Sequence, residues 1–524
     1  MGDSYNLGVD LTDRHVVAGR GDRVALIFED SGGFRSTMSY RDVAAQANRF
    51  ASLLRRLGVV PGDRVFFRIP NHPAFVYGAL GCAKAGAVFI PSSTLFKAGE
   101  VEYRLRDSGA VVAVTTAALS AEIEAVAGRC PNLREVLIVD DDGENTVRRG
   151  EGLSAKLAAS REHFVAVDTD ADDPAFIAYS SGTTGDPKGI VHAHRYARSY
   201  DYLIDEWHGY RDGDVCACPP EIGWMLPVAS SFLYAMRAGI TTLMYRERQP
   251  RFRADVWCEL LARHQVTSFV GTPTIYRMML GVENLRRHDL SSLRQGTSAG
   301  EPLPPDTLER IETALGFVPL DGIGMSECMV YAHARADDPA TPGSCGRAGA
   351  GLELSVRDDD LNPVPDGEEG VLCVRRETHP GLMIEYLNKP DATADVFRGE
   401  WYWSGDVVTR DADGRYFFRG RADDVMNCSG YRISPFEVES ALTAHAAVLE
   451  AAAVQAPDEL KGMIVKAVVT LREHHVPSQE LADEIREHVK ATLAPFKAPR
   501  IVEFVDALPK TASGKILRRL LRED

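Results

Sequence analysis

Short apolar runs alternate with apparent helices along the first part of the chain. Residues 40–57 have a helical pattern, and two apolar runs follow, Arg-Val-Phe-Phe-Arg-Ile at 64–69 and Ala-Val-Phe-Ile at 87–90. Such alternation is typical of β/α units, in which helices cover the faces of a parallel sheet. The same pattern recurs later, where the apolar run 267–270 is followed by a helical segment at 272–279. The sequence therefore predicts an α/β fold with two such sheets.

A different pattern follows at residues 352–418. Short strands are separated there by Asp, Gly and Pro turns, as in Gly-Val-Leu-Cys-Val-Arg at 370–375, which predicts a distorted antiparallel barrel. The chain of 524 residues exceeds what one hydrophobic core usually organises. We therefore expect a large N-terminal domain over residues 1–420 and a small mobile α+β C-terminal domain over residues 421–524, which is large enough to fold alone.

The composition, with 45% apolar and 26% charged residues, is that of a globular protein. The net charge of −16 argues against general nucleic-acid binding and against docking on anionic membranes. No run of about eighteen apolar residues occurs, and the acidic start Met-Gly-Asp-Ser is unlike a secretory leader, so we expect no membrane span and a cytoplasmic location. The nine cysteines are scattered, which predicts buried thiols without disulfides or a structural metal.

The segment at residues 179–189, Tyr-Ser-Ser-Gly-Thr-Thr-Gly-Asp-Pro-Lys-Gly, is rich in glycine and hydroxyl side chains and contains one lysine. Where glycine lacks a Cβ, backbone N–H groups approach an anion closely, and the hydroxyls and the ammonium add further donors. A P-loop NTPase needs Gly-Lys followed by Ser or Thr, whereas Pro187 precedes Lys188 here and Gly189 follows it. The segment therefore predicts an oligophosphate site of another kind.

Three further segments suit a nucleotide. Asp-Gly-Ile-Gly-Met-Ser-Glu at 321–327 places a carboxylate where it could hold Mg²⁺ while the backbone lies against a base. Trp-Tyr-Trp-Ser-Gly-Asp at 401–406 ends in Asp406, which is able to accept from both hydroxyls of a ribose. Pro-Lys-Thr-Ala-Ser-Gly-Lys at 509–515 precedes a basic tail. Taken singly, each segment also fits an ordinary turn.

In this order and spacing, the four segments resemble the adenylate-forming superfamily of acyl-CoA synthetases, nonribosomal adenylation domains and luciferases, and they are most similar to AMP-forming acyl- or aryl-CoA synthetases. The resemblance extends from about residue 25 to the end of the chain. It implies an acid–thiol ligase that uses ATP and Mg²⁺ to convert an apolar carboxylic acid (aromatic, medium-chain or bulky cyclic) to acyl-AMP and pyrophosphate. The acyl group is then transferred to coenzyme A.

The resemblance implies which residues bind ATP. Lys515 would be the catalytic lysine of adenylation, Thr184 and Glu327 would also be catalytic, and Glu327 would ligate Mg²⁺. Asp406 would bind the ribose, and Arg421 would assist there or at a phosphate. The full implied ATP-binding set is Ser181, Gly182, Thr183, Thr184, Gly185, Lys188, Gly300, Glu301, Pro302, Asp321, Gly322, Ile323, Gly324, Met325, Ser326, Asp406, Phe418, Arg421 and Lys515.

An acyl pocket, a coenzyme A site and a hinge are also implied by the resemblance. Ser429, Gly430 and Tyr431 would bind coenzyme A, and the C-terminal domain would rotate about Asp423 between the two half-reactions. Trp224 would be an aromatic gate beside the acyl group. The implied pocket residues are Trp224, Met225, Val228, Gly300, Gly324 and Met325.

One residue departs from the family pattern, and a pair of histidines has two explanations. Ile323 stands where Tyr or Trp commonly packs on adenine, and an aliphatic side chain still covers a base face, so we expect a modest effect on ATP affinity at most. His192 and His194 follow the phosphate segment and either make polar contacts with the substrate or simply finish a strand.

The motifs leave the thiol acceptor open between coenzyme A and the phosphopantetheine of a separate carrier protein. A non-catalytic nucleotide sensor is a third hypothesis, and the intact Lys188, Glu327, Asp406 and Lys515 argue against it. The expected partners are a small-molecule carboxylic acid, ATP and one of these thiols. A homodimer is left open, and no nucleic acid is expected.

Overall fold

A computed structural model describes residues 3–140, 152–180, 186–248, 252–301, 303–338, 341–422, 426–428, 431–458, 462–493, 497–510 and 516–522, without the side chains of Asn427, Tyr431, Arg432 and Arg519. The chain divides into two compact units. The first comprises Met1–Ser180, Pro187–Glu353 and Arg375–Glu400, and the second comprises Ser181–Asp186, Leu354–Val374 and Trp401–Asp524. The domain boundary between residues 420 and 421 lies within the second unit and stays a prediction.

The strands and helices follow one another along both units. The strands are β1 (Val24–Asp30), β2 (Arg35–Ser39), β3 (Arg64–Arg68), β4 (Val88–Pro91), β5 (Val112–Thr116), β6 (Glu135–Val139), β7 (Pro174–Ser180), β8 (Lys188–Ala193), β9 (Val215–Ala217), β10 (Thr241–Arg246), β11 (Ser268–Gly271), β12 (Gln295–Ser298), β13 (Leu320–Met325), β14 (Met329–His333), β15 (Arg347–Ala348), β16 (Leu354–Arg357), β17 (Gly370–Arg375), β18 (Glu385–Tyr386), β19 (Phe397–Arg398), β20 (Trp401–Arg410), β21 (Tyr416–Arg421), β22 (Met426–Cys428), β23 (Tyr431–Ile433), β24 (Val448–Asp458), β25 (Gly462–Leu471) and β26 (Ile501–Phe504). The α-helices are α1 (Leu7–Leu11), α2 (Asp13–His15), α3 (Tyr40–Arg56), α4 (Pro73–Lys84), α5 (Ala98–Ser108), α6 (Ser120–Ala127), α7 (Leu153–Ala158), α8 (Met225–Pro227), α9 (Ala235–Ala238), α10 (Ala254–Arg263), α11 (Pro273–Leu280), α12 (Pro305–Leu315), α13 (Pro390–Val396), α14 (Pro435–Thr443) and α15 (Gln479–Thr492). The part of the chain that the structure describes also contains the π-helical segments Val16–Arg20, Leu203–Trp207 and Val228–Tyr234.

A seven-stranded sheet in the first unit has the strand order β18-β8-β7-β4-β3-β5-β6. The strands from β7 to β6 in this order are parallel, and helices α4, α5 and α6 connect successive parallel strands. Parallel neighbours require such crossovers, so the predicted β/α units are confirmed. β8 and β18 extend the sheet antiparallel at one edge.

The helix α3 shows how the sequence sets one of these helices. The hydroxyl of Ser39 accepts from the backbone N–H of Asp42 at 3.1 Å, and the Asp42 carboxylate accepts from the backbone N–H of Ser39 at 2.8 Å. This reciprocal cap satisfies N–H groups that the first turn leaves unpaired. On its buried face, α3 packs against Gly81 of α4, where an added Cβ would lie 2.8 Å from the carbonyl oxygen of Ala47. The missing side chain therefore allows the two helices to approach closely.

A nine-stranded sheet completes the first unit, with the order β15-β14-β13-β12-β11-β9-β10-β1-β2. Its central strands are parallel, and β2, β14 and β15 are antiparallel at the two edges. Trp257, Leu261, Phe269 and Tyr276 are buried where α10 and α11 pack on the sheet. The second predicted sheet is thus confirmed.

Antiparallel strands dominate the second unit. β16, β17 and β20 are neighbours in that order, and β21 pairs with β20, which confirms the antiparallel texture predicted for residues 352–418. Further along the chain, β22 pairs with β23, and β24, β25 and β26 form a three-stranded sheet. Ile433, Val438, Leu442, Val465 and Ile485 are buried together in an α+β core with α14 and α15.

All nine cysteines are buried, as expected. No helix in the described ranges has both the length and the apolar character needed to cross a membrane.

Gly324 gives a test of the hairpin formed by β13 and β14. An added Cβ would overlap the carbonyl oxygen of Met329, which belongs to the backbone of the adjacent strand and has no room to retreat. We expect Gly324→Ala to destabilise the fold by about 1–3 kcal/mol, because the hairpin must open to accept the methyl group. The measurement is the thermal unfolding midpoint of the variant against the wild type.

Gly99→Ala is the matched control. Gly99 lies in α5, and no heavy atom lies within 4 Å of a Cβ added there. Alanine is the better helix former by roughly 0.5–1 kcal/mol, so this variant should unfold at or above the wild-type midpoint. Equal midpoints for the two variants would contradict the packing argument.

Candidate active site

The strands β7 and β8 bring together the two ends of the predicted phosphate segment. In their antiparallel register Ser180 is opposite Lys188, and Tyr179 is opposite Gly189. The hydroxyl of Tyr179 donates a 2.7 Å hydrogen bond to Oδ2 of Asp107 on α5. The segment therefore begins and ends on strands that the surrounding protein holds in place.

Tyr386 contacts both charged residues of this region. Nζ of Lys188 lies 4.7 Å from the centroid of the Tyr386 ring, a cation–π arrangement. The Tyr386 hydroxyl donates a 2.8 Å hydrogen bond to Oε1 of Glu327. Tyr386 is only 4% exposed, whereas Lys188 and Glu327 are half-buried. A buried ring therefore supports two charges that remain accessible to a ligand.

Backbone hydrogen bonds fix the same arrangement. β18 pairs with β8, with Tyr386 opposite Ile190, and the N–H of Leu387 donates to the carbonyl of Gly189 at 2.7 Å. The N–H of Met383 donates to the carbonyl of Glu327 at 2.8 Å. The segment 383–387 therefore ties the strand that carries Lys188 to the turn that carries Glu327.

Glu327 has the donor chemistry of a magnesium ligand. Tyr386 engages one carboxylate oxygen, Oε1, and no side chain in the described ranges bonds to the other oxygen, Oε2. Mg²⁺ is commonly held by one or two carboxylates together with substrate phosphates and water. The described residues contain no cluster of three or more His, Cys, Asp or Glu suited to a metal, so such an ion would take its remaining ligands from the nucleotide and water. The predicted role of Glu327 fits this chemistry.

Asp321 is buried beside the predicted adenine position. It lies in β13, and its neighbour in the parallel register with β12 is Ser298. Oδ1 of Asp321 is fully buried, and no hydrogen-bond partner for it lies within the described residues. Burial raises the pKa of Asp321 to about 8, so its carboxyl is largely protonated at neutral pH. A protonated carboxyl both donates and accepts a hydrogen bond.

The other residues of the predicted adenine strip lie in or next to β13. Gly322 packs against Trp207, and Ile323 is 9% exposed. Met325 and Ser326 are half-buried at the end of the strand. The strip thus has a partly exposed end at Ser326, next to Glu327.

Glu301 has a local structural role. Its Oε1 accepts from the backbone N–H of Thr274 at 2.8 Å, at the start of α11, and Arg277 lies 3.4 Å from Oε2. The side chain therefore caps a helix, which leaves the backbone of Gly300 and Glu301 for the predicted ATP contact. The backbone angle φ of Gly300 is +96°, a value that residues with a side chain rarely adopt.

Trp224, Met225 and Val228 belong to one segment of the first unit. The Trp224 ring is half-buried with its centroid 5.8 Å from that of Phe96. Met225 begins α8, and Val228 begins a π-helical segment and is fully buried. Only Trp224 and Met225 among these three therefore retain exposed surface.

Sequence reasoning missed the residue that anchors this segment. Glu221 accepts from the hydroxyl of Ser93 at 2.8 Å and from the backbone N–H of Thr94 at 3.1 Å. The carbonyl of Glu221 accepts from the N–H of Trp224 at 3.0 Å, and burial raises the pKa of the Glu221 carboxyl. The signal was an acid inside an otherwise apolar stretch, Glu-Ile-Gly-Trp-Met-Leu.

In the second unit, Asp406 and Arg421 form a pair. They are opposite each other on β20 and β21, and Nη1 of Arg421 donates to Oδ1 of Asp406 at 2.9 Å and to the carbonyl of Ser404 at 2.9 Å. Asp406 is 5% exposed. Phe418, also on β21, packs against Phe436 with ring centroids 5.5 Å apart. The structure therefore brings together the two residues predicted for the ribose.

His192 and His194 are core residues. His192 is fully buried and stacks on Phe176 with ring centroids 4.6 Å apart, and burial lowers its pKa to about 3. Nδ1 of His194 accepts from the backbone N–H of Leu7 at 3.1 Å. His192 therefore lies near the end of β8 and His194 begins the 3-10 helix that follows, so both have the structural role that the simpler of the two explanations predicted.

Several predicted site residues fall outside the described part of the chain. For Tyr431, the backbone in β23 is described and the side chain is not. The residues outside are Ser181, Gly182, Thr183, Thr184, Gly185, Pro302, Asp423, Ser429, Gly430 and Lys515. Their roles stay predictions.

The buried Asp321 predicts a specific pH dependence of stability. Its pKa is raised from about 3.9 in the unfolded chain to about 8 in the fold, so between these values the folded state binds a proton that the unfolded state lacks. Its contribution to stability is therefore full below about pH 4 and is lost as the pH rises to about 8, with a slope of at most about 1.4 kcal/mol per pH unit. We expect Asp321→Asn to gain stability relative to the wild type over this range, as measured by thermal unfolding without nucleotide.

Asp289→Asn is the control for this experiment. Hydrogen bonds from Ser291 lower the pKa of the exposed Asp289 carboxyl, so its ionisation is complete throughout the range. Its difference from the wild type should stay constant between about pH 5 and about pH 9. A constant difference for Asp321→Asn as well would contradict a protonated Asp321.

Two family models match the chain. The model described as AMP-binding enzyme matches residues 13–387, and the model described as AMP-binding enzyme C-terminal domain matches residues 437–515. Among curated proteins, a benzoate–CoA ligase of Thauera aromatica is 37% identical, with coverage of 99% of this chain and 96% of the relative. A protein of Bacillus subtilis described as an uncharacterized acyl–CoA ligase is 35% identical, also with coverage of 99% and 96%.

Solved structures give the same result. An anthranilate CoA ligase in complex with anthranoyl-AMP has a TM-score of 0.89 and 31% identity, over 99% of this chain and 97% of that one. A benzoate CoA ligase from Burkholderia xenovorans has a TM-score of 0.86 and 32% identity, over 99% and 100%. These matches confirm the resemblance to adenylate-forming enzymes and, with it, the use of ATP, Mg²⁺ and coenzyme A. The chain therefore belongs to the AMP-binding enzyme family and is an AMP-forming acyl-CoA synthetase, an acid–thiol ligase.

Proposed function

We propose that this enzyme forms the coenzyme A thioester of an apolar carboxylic acid larger than acetate, with an aromatic acid as its preferred substrate. The observation that carries the proposal is the contact of Tyr386 with both Lys188 and Glu327 in the same unit that holds the Trp224 segment. This arrangement supplies a cation and a metal ligand for ATP together with an aromatic side chain for the acid.

In the first half-reaction, a carboxylate oxygen of the acid attacks the α-phosphorus of ATP. The bond from the α-phosphorus to the bridging oxygen breaks, and pyrophosphate leaves with the electron pair. Two anions meet in this step, and negative charge spreads over the phosphate oxygens in the transition state. Positive groups aimed at those oxygens therefore accelerate the reaction.

Lys188 supports the proposal as the residue that holds the departing pyrophosphate. Its ammonium is half-buried against the Tyr386 ring, and no carboxylate in the described ranges forms an ion pair with it. Glu327 is proposed to hold Mg²⁺ through Oε2, and Mg²⁺ supplies neutralisation of phosphate charge. Asp406 is proposed to accept from the ribose hydroxyls, with Arg421 orienting its carboxylate.

Asp321 is proposed to recognise the adenine edge. Because burial keeps its carboxyl protonated, it is able to donate to a ring nitrogen and accept from the amino group at the same time. An ionised carboxylate would only accept, so this recognition depends on the buried location of Asp321 in β13.

In the second half-reaction, the thiol sulfur of coenzyme A attacks the acyl-AMP carbonyl, and AMP leaves. Lys515 is proposed to stabilise charge in the first step only. That step builds negative charge on the phosphates of ATP, whereas the second step is an attack on a carbonyl carbon and no bond to phosphorus breaks. We retain Asp423 as the hinge and Gly430 as part of the thiol path on the strength of the family resemblance. We also propose a cytoplasmic location, and a homodimer is left open.

The substrate class follows from the Trp224 segment and from the relatives. No Lys or Arg occurs between residues 215 and 236, and the one acid there, Glu221, is engaged by Ser93 and Thr94. A second carboxylate on the substrate would therefore lack a cation in this segment. The similar ligases act on benzoate and anthranilate by name, which supports an aromatic acid.

A panel of acids tests the substrate class. We expect kcat/KM for benzoate, 2-aminobenzoate or octanoate to exceed that for acetate by at least about a hundredfold. Each of these acids has several more apolar carbon groups than acetate, and burial of each group in the pocket adds binding free energy. Malonate should be as poor as acetate. The measurement is coenzyme A-dependent release of AMP, and a preference for acetate or malonate would contradict the proposal.

The same assay distinguishes the acceptor. With the best acid, replacement of coenzyme A by a phosphopantetheinyl carrier protein should give no thioester. Thioester on the carrier, without thioester on coenzyme A, would assign the enzyme to carrier loading.

Lys515 tests the division between the two half-reactions. Lys515→Ala should slow acyl-AMP formation by at least about a hundredfold, the usual loss for one preorganised electrostatic contact. It should still convert supplied acyl-AMP and coenzyme A to thioester at the wild-type rate. Equal loss in both half-reactions would contradict a role limited to adenylation. Lys490→Ala on α15 serves as a control for removal of one lysine.

A further inference from the structure

The Tyr386 hydroxyl has no part in either half-reaction as described. It is buried in β18, 59 residues away from Glu327 in the chain, yet it donates to the Glu327 carboxylate at 2.8 Å. A buried tyrosine hydroxyl needs a partner, but a backbone carbonyl would satisfy that need equally well. Tyr200 shows this ordinary solution, since its buried hydroxyl donates to the carbonyl of Gly381 at 3.0 Å.

The choice of a carboxylate as partner has a specific effect. A hydrogen bond to Oε1 restricts rotation of the Glu327 carboxylate and distinguishes its two oxygens, because Oε2 is not bonded to any side chain of the described residues. The backbone carbonyl of Glu327 also accepts a hydrogen bond from the N–H of Met383, three residues before Tyr386. One short segment therefore fixes both the main chain and the side chain of the same residue.

We propose that Tyr386 is a positioning residue, whose hydroxyl orients Glu327 toward a divalent cation while its ring supports Lys188. This inference rests on the proposed function, in which Glu327 holds Mg²⁺ and Lys188 holds phosphate. The two charges converge on ATP phosphates, and Tyr386 links them through contacts of 2.8 Å and 4.7 Å. Tyr386 thus couples the metal ligand to the phosphate-binding lysine without touching substrate.

The coupling has a measurable consequence. Groups that orient a metal ligand through a hydrogen bond contribute about tenfold or more to metal affinity. Tyr386→Phe removes the hydroxyl but keeps the ring beneath Lys188 and the pairing of β18 with β8. The variant should therefore lose part of its response to Mg²⁺ and keep its affinity for ATP alone.

The experiment measures ATP binding by calorimetry in the absence of a carboxylic acid, with and without saturating Mg²⁺. The ratio of the two dissociation constants, which we term the magnesium enhancement, reports metal binding without catalysis. We expect Tyr386→Phe to lower this enhancement by about tenfold. In activity assays the variant should need more Mg²⁺ for half-maximal acyl-AMP formation, and excess Mg²⁺ should restore kcat.

Two further variants separate positioning from general packing. Tyr200→Phe also removes a buried hydroxyl that binds the segment before β18, so it is the matched control and should leave the enhancement unchanged. Tyr386→Leu removes the ring as well, and it should weaken ATP binding without Mg²⁺ by about twofold to fivefold through the loss of the contact with Lys188.

Glu327→Gln distinguishes failure of the inference from failure of the proposed function. If Glu327→Gln abolishes the enhancement and Tyr386→Phe retains it, the role of Tyr386 is overturned and the metal role of Glu327 stands. If Glu327→Gln also retains the enhancement, the metal role of Glu327 is overturned, and the role of Tyr386 with it. An equal loss in Tyr200→Phe and Tyr386→Phe would show a packing effect and overturn the positioning role.

Discussion

The antiparallel pairing of β8 with strands on both sides is the interaction on which the candidate active site depends. On one side β7 sets Ser180 opposite Lys188, so the predicted phosphate segment connects adjacent ends of a hairpin. On the other side β18 sets Tyr386 opposite Ile190. The rest of this sheet is parallel and its strands are buried, so only its edge offers a place for such additions. The edge of the sheet therefore holds Lys188 and, through Tyr386, Glu327, which are the residues predicted to bind phosphate and Mg²⁺.

Burial then decides which of these residues are charged. Asp321 and His192 are both buried next to the site, and burial raises the pKa of the first to about 8 and lowers the pKa of the second to about 3. Both are therefore largely neutral at neutral pH, since an unpaired buried charge is costly. Lys188 and Glu327 are half-buried instead. Lys188 and Glu327 thus keep exposed surface that a ligand is able to reach.

The sequence predicted most of the fold because its signals are local. Each β/α unit is visible as an apolar run followed by a helical pattern. The sequence assigned Asp406 and Arg421 to the same nucleotide but did not predict that they contact each other. Their contact depends on the register of β20 and β21, which tertiary contacts determine.

Contacts that join distant parts of the chain were not predictable in the same way. Tyr386 follows Glu327 by 59 residues, and nothing in Ile-Glu-Tyr-Leu-Asn-Lys-Pro indicates its partner. The helix-capping role of Glu301 was missed for the same reason, because its acceptor function depends on where α11 begins. A resemblance to a family assigns a role to a residue from its position in a motif. The hydrogen bonds of Tyr386 and Glu301 depend instead on how distant segments pack together in the fold.

The acyl segment is held by a separate set of contacts. A π-helical turn leaves carbonyl groups without regular partners, and in Val228–Tyr234 the hydroxyls of Tyr210 and Thr242 donate to the carbonyls of Ser230 and Ser231. Glu221 anchors the segment at its start, as described above. None of these bonds involves β8 or Glu327. The segment that carries Trp224 is therefore anchored separately from the residues predicted to bind ATP, so a substitution beside Trp224 leaves the contacts that hold Lys188 and Glu327 intact.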